Sequence, residues 1–237
     1  MIKATEVVLM QPYLFPYLGY FQLISISDLF VIHDDVQFIK GGWINRNRIL
    51  LEDRDKLFTF PIQKASSDLE INKRNFAPGF KEHKDKLKRL LEIAYSRAPY
   101  YNSVIEVINE VLECEDLNIE VFILKSLRIV SDYLSISTEF IMSSEIEKDE
   151  TLKGQDRVIE INRLLGSTHY INPIGGMELY SKEAFRKAGI ELSFLKMRPV
   201  IYKQYGDEFV PNLSIIDVMM FNSREKIKEL LGEYDLL

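Results

Sequence analysis

The stretch 7–50, VVLMQPYLFPYLGYFQLISISDLFVIHDDVQFIKGGWINRNRIL, decides the fold. It opens on the apolar run Val7-Val8-Leu9-Met10, which stops at Gln11-Pro12. An aromatic turn with Tyr13, Pro16, Gly19 and Tyr20 follows, then a helix-like segment over 18–27. A second apolar run over 28–32 ends in His33-Asp34-Asp35. Neither run alternates apolar with polar residues, which is how parallel strands covered on both faces read. Two buried strands joined by a segment long enough for a crossover helix predict a βαβ unit. Polar side chains just past the ends of such strands are where open α/β sheets bind ligands.

Working outward, Lys40-Gly41-Gly42 reads as a turn and 43–50 as a polar loop or short element rich in Asn and Arg. Residues 57–62 look like another strand, and 69–71 like a short extra one. From Pro78 the periodicity changes. Phe80, His83, Leu87, Leu90, Leu91 and Ala94 recur at helical spacing, and 101–114 and 117–134 give two more helices. Strands are expected at 137–142, 168–171 and 190–195, and helices at 155–165 and 178–188. The stretch 213–231 reads as one helix, or two broken near Asn222. The fold class expected is α/β, a mostly parallel sheet with flanking helices, Rossmann-like and nucleotidyltransferase-like. Residues 1–237 form one composite domain in this reading, with 78–135 as a helical insertion or cap.

Composition narrows the function. A chain of 237 residues with 46% hydrophobic and 28% charged side chains is an ordinary globular one. Its net charge of −6 argues against a general nucleic-acid binder. No early stretch has a signal-peptide layout, and no apolar run approaches the roughly 20 residues of a membrane helix, so a cytoplasmic protein is expected. The single cysteine, Cys114, excludes an internal disulfide and a cysteine-based zinc site. Three histidines without an H-E-x-x-H pattern do not suggest zinc catalysis, and the absence of a G-x-S-x-G elbow leaves a hydrolase unsupported.

Several constellations carry chemistry. Gln11 ends a buried strand, and the turn at Gly19 leads into a helix N-terminus, a place that favours phosphate or carboxylate. Tyr13 and Tyr20 line that turn or simply fill the core. Asp34 and Asp35 stand side by side and need a cation or donors to offset their repulsion. Arg46 and Arg48 are the nearby candidates, so the acids either serve a ligand or cap a turn and pair with Arg46. Gln37 follows them. In Trp43-Ile44-Asn45-Arg46-Asn47, Arg offers a fork for phosphate, Asn reads an amide or hydroxyl, and Trp43 can stack on a sugar or base. His83 lies on an apolar helix face, where a core role competes with a catalytic one. The loop 172–176, with Gly175, faces a ligand or is a tight connection. Tyr202 and Gln204 place polar groups among apolar neighbours. His169, Ser214 and Asp217 read as structural, the last two as a helix cap and a first-turn acid.

At these residues the chain resembles the WbqC-like family of bacterial proteins often encoded in surface-polysaccharide clusters. The likeness rests on Gln11-Pro12-Tyr13, Pro16, Gly19-Tyr20-Phe21, Asp34 through Phe38, Trp43, Asn45-Arg46-Asn47, His83-Lys84, Tyr95, Gly175-Gly176, Tyr180, Tyr202, Gln204 and 211–217. It implies a part in O-antigen synthesis, with transfer of a glycyl or similar acyl group onto the amine of a nucleotide-linked amino sugar. A weaker likeness links the first strand, turn and helix to the start of pantothenate synthetase-type nucleotidyltransferases. Aligned on Gly19, Tyr17-Leu18-Gly19-Tyr20 stands where that family has His-x-Gly-His, so both histidines are missing. Tyrosine hydrogen-bonds but carries no positive charge at neutral pH.

The expected activity is therefore an amide-forming transferase. Asp35 or His83 acts as the base, and Gln11, Tyr13, Gly19, Tyr20, Asp34, Gln37, Trp43, Asn45, Arg46, Asn47, Gly175, Tyr202 and Gln204 bind substrate. Arg46 takes the diphosphate. If the donor carboxylate is adenylated, ATP and magnesium are implied, with Asp34 and Asp35 recruiting the ion. No metal held by the protein alone is expected. The alternative is a non-catalytic sugar-nucleotide binding or scaffold protein.

Overall fold

The computed structural model describes residues 5–237; the first four residues of the expected 1–237 unit lie outside it. Strand β1 (Glu6–Met10) is the centre of a six-stranded sheet. Helix α1 (Leu18–Ile26) leads to β2 (Leu29–Ile32), which pairs parallel to β1 with Met10 opposite Ile32. This is the βαβ unit read from the sequence. Both faces of it are covered. Val7 and Leu9 face one apolar cluster and Val8 the other, which is why the strand carries no polar alternation. Each such fully buried side chain contributes about 1.5–3 kcal/mol relative to exposure.

After β2 the chain leaves the sheet. β3 (Arg46–Leu51) and β4 (Arg54–Thr59) form a separate antiparallel hairpin, turned by Glu52 and Asp53 at φ of 50° and 60°. The polar 43–50 segment is thus mostly strand. Half-buried Arg46 and Arg48 alternate along it with buried Asn47 and Ile49, and Leu50 also sits in the core. The extra strand expected at 69–71 is instead a single bridge, Gln37 to Glu70, followed by a 3-10 turn at Ile71–Lys73. Helices α2 (Phe80–Tyr95), α3 (Tyr101–Leu112) and α4 (Ile119–Tyr133) follow. Phe60, Phe76, Phe80 and Phe122 pack ring to ring at 4.3–5.8 Å and join the hairpin to these helices.

The chain then returns to the sheet. β5 (Glu139–Met142) pairs parallel with β2 at one edge. α5 (Gly154–Leu164) carries it across to β6 (His169–Pro173), parallel to β1 on its other side, and α6 (Lys182–Lys187) leads to β7 (Glu191–Met197). α6 is shorter than the helix expected from 178, because a 3-10 turn at Ile174–Gly176 and a further turn over 177–179 precede it. The C-terminal helix is two: α7 (Ile215–Phe221) and α8 (Arg224–Leu231), with Ser223 capping the second. β8 (Tyr234–Leu236), short and largely exposed, is a strand the sequence did not signal; it adds antiparallel to β7.

The strand order is β5-β2-β1-β6-β7-β8. Successive crossovers run outward from β1 through β2 to β5, then restart at β6 on its other flank. The topological switch point therefore lies between β1 and β6, where open parallel sheets form their ligand crevice at the carboxyl ends of the strands.

Candidate functional site

A crevice of about 460 Å³ opens at that switch point. Met10 from the end of β1 and Pro173, Ile174 and Gly175 from the end of β6 form its floor and one wall. The turn after β1 supplies Tyr13, Pro16 and Tyr17, and the hairpin side supplies Trp43, Asn47 and Arg48. The turn is pinned from several directions. Asn47 Nδ2 donates to the carbonyls of Leu14 and Phe15 at 3.0 and 2.8 Å, Ser214 Oγ donates to Phe15 O at 2.7 Å, and Ile215 N to Pro16 O at 2.8 Å. These bonds hold Phe15 at a φ of 41°, a backbone region that costs a non-glycine residue of order 1 kcal/mol or more.

Several candidates prove to be builders of this wall. Tyr20 is fully buried and its hydroxyl donates to Gln11 O at 2.8 Å. Gly19 is small because the Tyr17 ring lies over it: a Cβ there would sit 2.5 Å from Tyr17 Cε2. Asn45 Nδ2 donates to Phe60 O and is buried. Burial raises the Tyr13 and Tyr17 pKa values, and the Tyr17 ring adds to the effect on Tyr13, so both keep neutral hydroxyls for the crevice. The Gln11 side chain makes no hydrogen bond among the described residues.

Trp43, 39% exposed, has the Arg46 and Arg48 guanidiniums at 5.5 and 5.4 Å from its ring centroid. The two arginines differ in what else they do. Arg46 donates to the carbonyls of Gly41 and Gly42 and braces their turn. Arg48 lines the crevice, holds Asp55 at 3.3 Å and Asn212 O at 3.4 Å, and keeps a buried Nε with no partner. The guanidinium facing the crevice is that of Arg48.

A second polar centre lies one strand over, at the ends of β2 and β5. Here the sequence expectation is corrected: neither Arg46 nor Arg48 offsets the acid pair. Asp34 accepts from Ser144 N at 3.0 Å and Asn72 Nδ2 at 2.9 Å. Asp35 Oδ2 takes Lys148 Nζ and Arg157 Nη2, each at 2.6 Å, and the Lys148 side chain is fully buried. Burial would raise the Asp35 pKa, but the Lys148 hydrogen bond, the Ser143 hydroxyl and the Arg157 charge outweigh it and hold the carboxyl below its usual range. With both Asp34 oxygens and Asp35 Oδ2 engaged, only Asp35 Oδ1 is left open, and the pair does not fit a magnesium ion shared by both carboxylates. Among the described residues no group of three or more His, Cys, Asp or Glu side chains is placed to hold a metal.

Glu120, in the first turn of α4, faces the same centre. Burial and the adjacent Asp34 carboxylate push its pKa up to about 7. Burial also lowers His33 to about 4, with Arg157 and Lys148 adding to the effect against the pull of Asp35 and Asp34. His33 is thus a neutral ring at pH 7. A ¹H–¹³C NMR titration should find one of the three histidine rings titrating near pH 4; a midpoint near the ordinary 6.5 would contradict this placement. Because the folded state resists His33 protonation, His33 costs stability as pH falls from 6.5 towards 4.

The structure does not join His83 to Asp35. α2 packs on β3 and α3, whereas the partners of Asp35 come from the β5–α5 segment. Gln37 is exposed and donates to Ser67 O. Tyr202 and Gln204 turn to Asp217: Tyr202 Oη and Gln204 Nε2 donate to Oδ2, both at 2.6 Å, while Tyr95 Oη donates to Oδ1 at 2.8 Å and accepts from Leu50 N. His169 pairs with Ser193 Oγ at 2.9 Å. Sequence reasoning missed Lys148, Arg157, Ser143 and Glu120. Lys148 stands in the charge-rich run EIEKDE, which has the composition of a solvated turn.

A model of the WbqC-like protein family matches residues 11–229, which takes in the crevice apart from Met10, the Asp35 centre and the Asp217 network. The chain belongs to the WbqC-like family. It is also similar to the uncharacterized protein Rv1507c of Mycobacterium tuberculosis, 26% identical over 219 residues that cover 92% of this chain and 93% of the relative. No solved structure matches the chain. No helix of this WbqC-like protein is long and apolar enough to cross a membrane, among the described residues.

Proposed function

We propose that this WbqC-like protein is a surface-polysaccharide (O-antigen) biosynthesis enzyme that transfers an aminoacyl, glycyl-like, or other acyl group to the amine of a nucleotide-linked amino sugar. The observation that carries the reading is the switch-point crevice, with one exposed tryptophan, one inward-facing arginine and two neutral tyrosines along its walls. Trp43 offers a stacking face for base or sugar, Arg48 a fork for a diphosphate, and Tyr13 and Tyr17 donors for sugar hydroxyls.

An acceptor amine reaches the protein as an ammonium and must lose a proton before attack. A group whose pKa lies near working pH does this best. Of the sequence candidates, Asp35 is held too low and His83 stands on another layer; Glu120 is matched. Replacing Glu120 by Gln should lower turnover by roughly a hundredfold or more while leaving sugar-nucleotide binding in place. Turnover within a few-fold of wild type would remove Glu120 from the reaction.

A second reading, a non-catalytic sugar-nucleotide binder, is favoured by the pairing of Asp35 Oδ2 with two cations. The two are separated by incubating the protein with ATP, magnesium, amino acids and candidate nucleotide-linked amino sugars, followed by mass spectrometry. A mass gain equal to an acyl or aminoacyl group supports the enzyme. Binding with no mass change across a broad donor panel supports the binder.

A further inference from the structure

The Asp35 centre is built as though one hydrogen-bonding partner were still to arrive. Asp35 Oδ1, Ser143 Oγ and His33 Nε2 are all buried atoms with no partner at full hydrogen-bond geometry, the Ser143 hydroxyl lying near enough to Asp35 only to help lower its pKa. Asp35 is nine-tenths buried and Ser143 completely so. His33 Nε2 and Asp35 Oδ1 stand 4.0 Å apart, too far to bond each other and close enough to share one small donor. A buried acceptor left empty is costly, most of all on a carboxylate.

Charge defines that donor. Asp34, Asp35, Glu120, Glu145 and Glu150 surround the notch, against Lys148 and Arg157, with Lys73 farther out and paired to Glu70. Both cations are spent: Lys148 also donates to Ser143 O at 2.5 Å, and Arg157 reaches Glu150 at 3.4 Å. The surplus is negative. The His33 ring is neutral, so its nitrogen accepts when the other one carries the proton. A carboxylate oxygen, a hydroxyl oxygen and a ring nitrogen are three acceptors, and a primary ammonium brings three donors.

We propose that the notch formed by Asp35, Ser143 and His33 is a subsite for the primary ammonium group of the acceptor sugar. This rests on the reading above. The nucleotide occupies the crevice over β1 and β6, and the sugar reaches across the end of β1 to the neighbouring end of β2, where Glu120 stands to take a proton. In the transfer itself, one N–H turns from its notch acceptor to Glu120 and breaks, its proton passing to that carboxylate. The freed nitrogen pair then forms the C–N bond to the acyl carbon, the bond from that carbon to the donor's leaving group breaks with its electron pair, and a second N–H proton leaves with that group, so that a neutral amide remains. The notch makes the enzyme specific for a free amine and closed to an N-acetylated sugar, which has lost the charge and two of the donors.

The test is NMR of the histidine rings during titration with methylamine hydrochloride, against tetramethylammonium chloride at equal ionic strength. Three histidines give few signals to assign. Methylamine should shift His33 saturably and leave His83 and His169 unmoved, and tetramethylammonium should not saturate. Ser143→Ala removes one acceptor without stranding a charge and should weaken methylamine roughly tenfold; Asp35→Asn should weaken it more. The inference is overturned if methylamine does not saturate, if tetramethylammonium acts alike, or if Ser143→Ala binds as wild type. A nucleotide-linked amino sugar titrated in parallel separates the two failures. Retained binding of it with no methylamine response removes the subsite alone, and loss of both removes the crevice reading as well.

Discussion

Replacing Asp35 by alanine is expected to destabilise the protein by about 3–5 kcal/mol, seen as a large drop in the urea unfolding midpoint. The reason is the charge left behind. Lys148, with no exposed side-chain surface, and Arg157, one-tenth exposed, both direct their nitrogens at Asp35 Oδ2. Removing the carboxylate leaves them facing each other in a buried site. Lys148 keeps the carbonyls of Ser143 and Ile146, which accept hydrogen bonds but carry no charge. If stranded charge is the cause, Asp35→Leu combined with Lys148→Met should recover a measurable part of the loss, since only Arg157 is then left and it keeps Glu150 as a partner. A double variant as unstable as the single one would contradict this. The pH dependence has a definite sign. The folded-state pKa of Asp35 is lowered, so its contribution is present above its ordinary value of 3.8 and is lost as pH falls through the folded value.

The second large effect is expected at Asp217. This fully buried carboxylate collects three donors, from Tyr95, Tyr202 and Gln204, and so ties α2 and the 202–210 segment to the start of α7. Asp217→Ala strands all three. At about 1–3 kcal/mol for each buried unpaired group, and less than additively in one network, the loss should be of order 3–5 kcal/mol. Asp217→Asn should recover only part of it, because one carboxylate oxygen becomes a donor that meets other donors. Burial raises the Asp217 pKa even against three hydrogen bonds. Its slope is therefore opposite to that of Asp35: stability is present at low pH and declines as pH rises through the folded value. The segment it anchors leads to Asn212, which lines the crevice and accepts from Arg48. Sugar-nucleotide binding should weaken in the same variant. An Asp217→Ala protein that unfolds at the wild-type urea concentration would remove the network from this account.

The sheet was legible because buried parallel strands leave a simple trace. Runs at 7–10 and 28–32 without polar alternation, joined by one helix length, allow little else. The hairpin was harder to see, since Asn45, Asn47 and Arg48 have loop composition and their partners lie far along the chain, at Phe60, Leu14 and Asp55. β8 is three residues long and mostly exposed, and only pairing with β7 makes it a strand. The crevice was half visible. The strand ends and Trp43 marked it, but which arginine faces inward is decided by tertiary packing. The acid pair was recognised as needing cations, yet Lys148 and Arg157 lie more than a hundred residues away and come near only when β5 and α5 are in place. The perturbed pKa of Glu120 likewise arises from docking α4 against Asp34 and has no counterpart in local sequence.

The central claim, that the crevice between β1 and β6 receives a nucleotide-linked amino sugar, is tested by a calorimetric titration of a nucleoside-diphosphate-linked amino sugar. Wild type, Trp43→Ala and Arg48→Ala are compared, each first shown to unfold at the wild-type urea midpoint. Saturable binding in wild type, weakened about tenfold or more in each variant, is the predicted result. Binding that persists unchanged in both variants would place the ligand elsewhere on the protein.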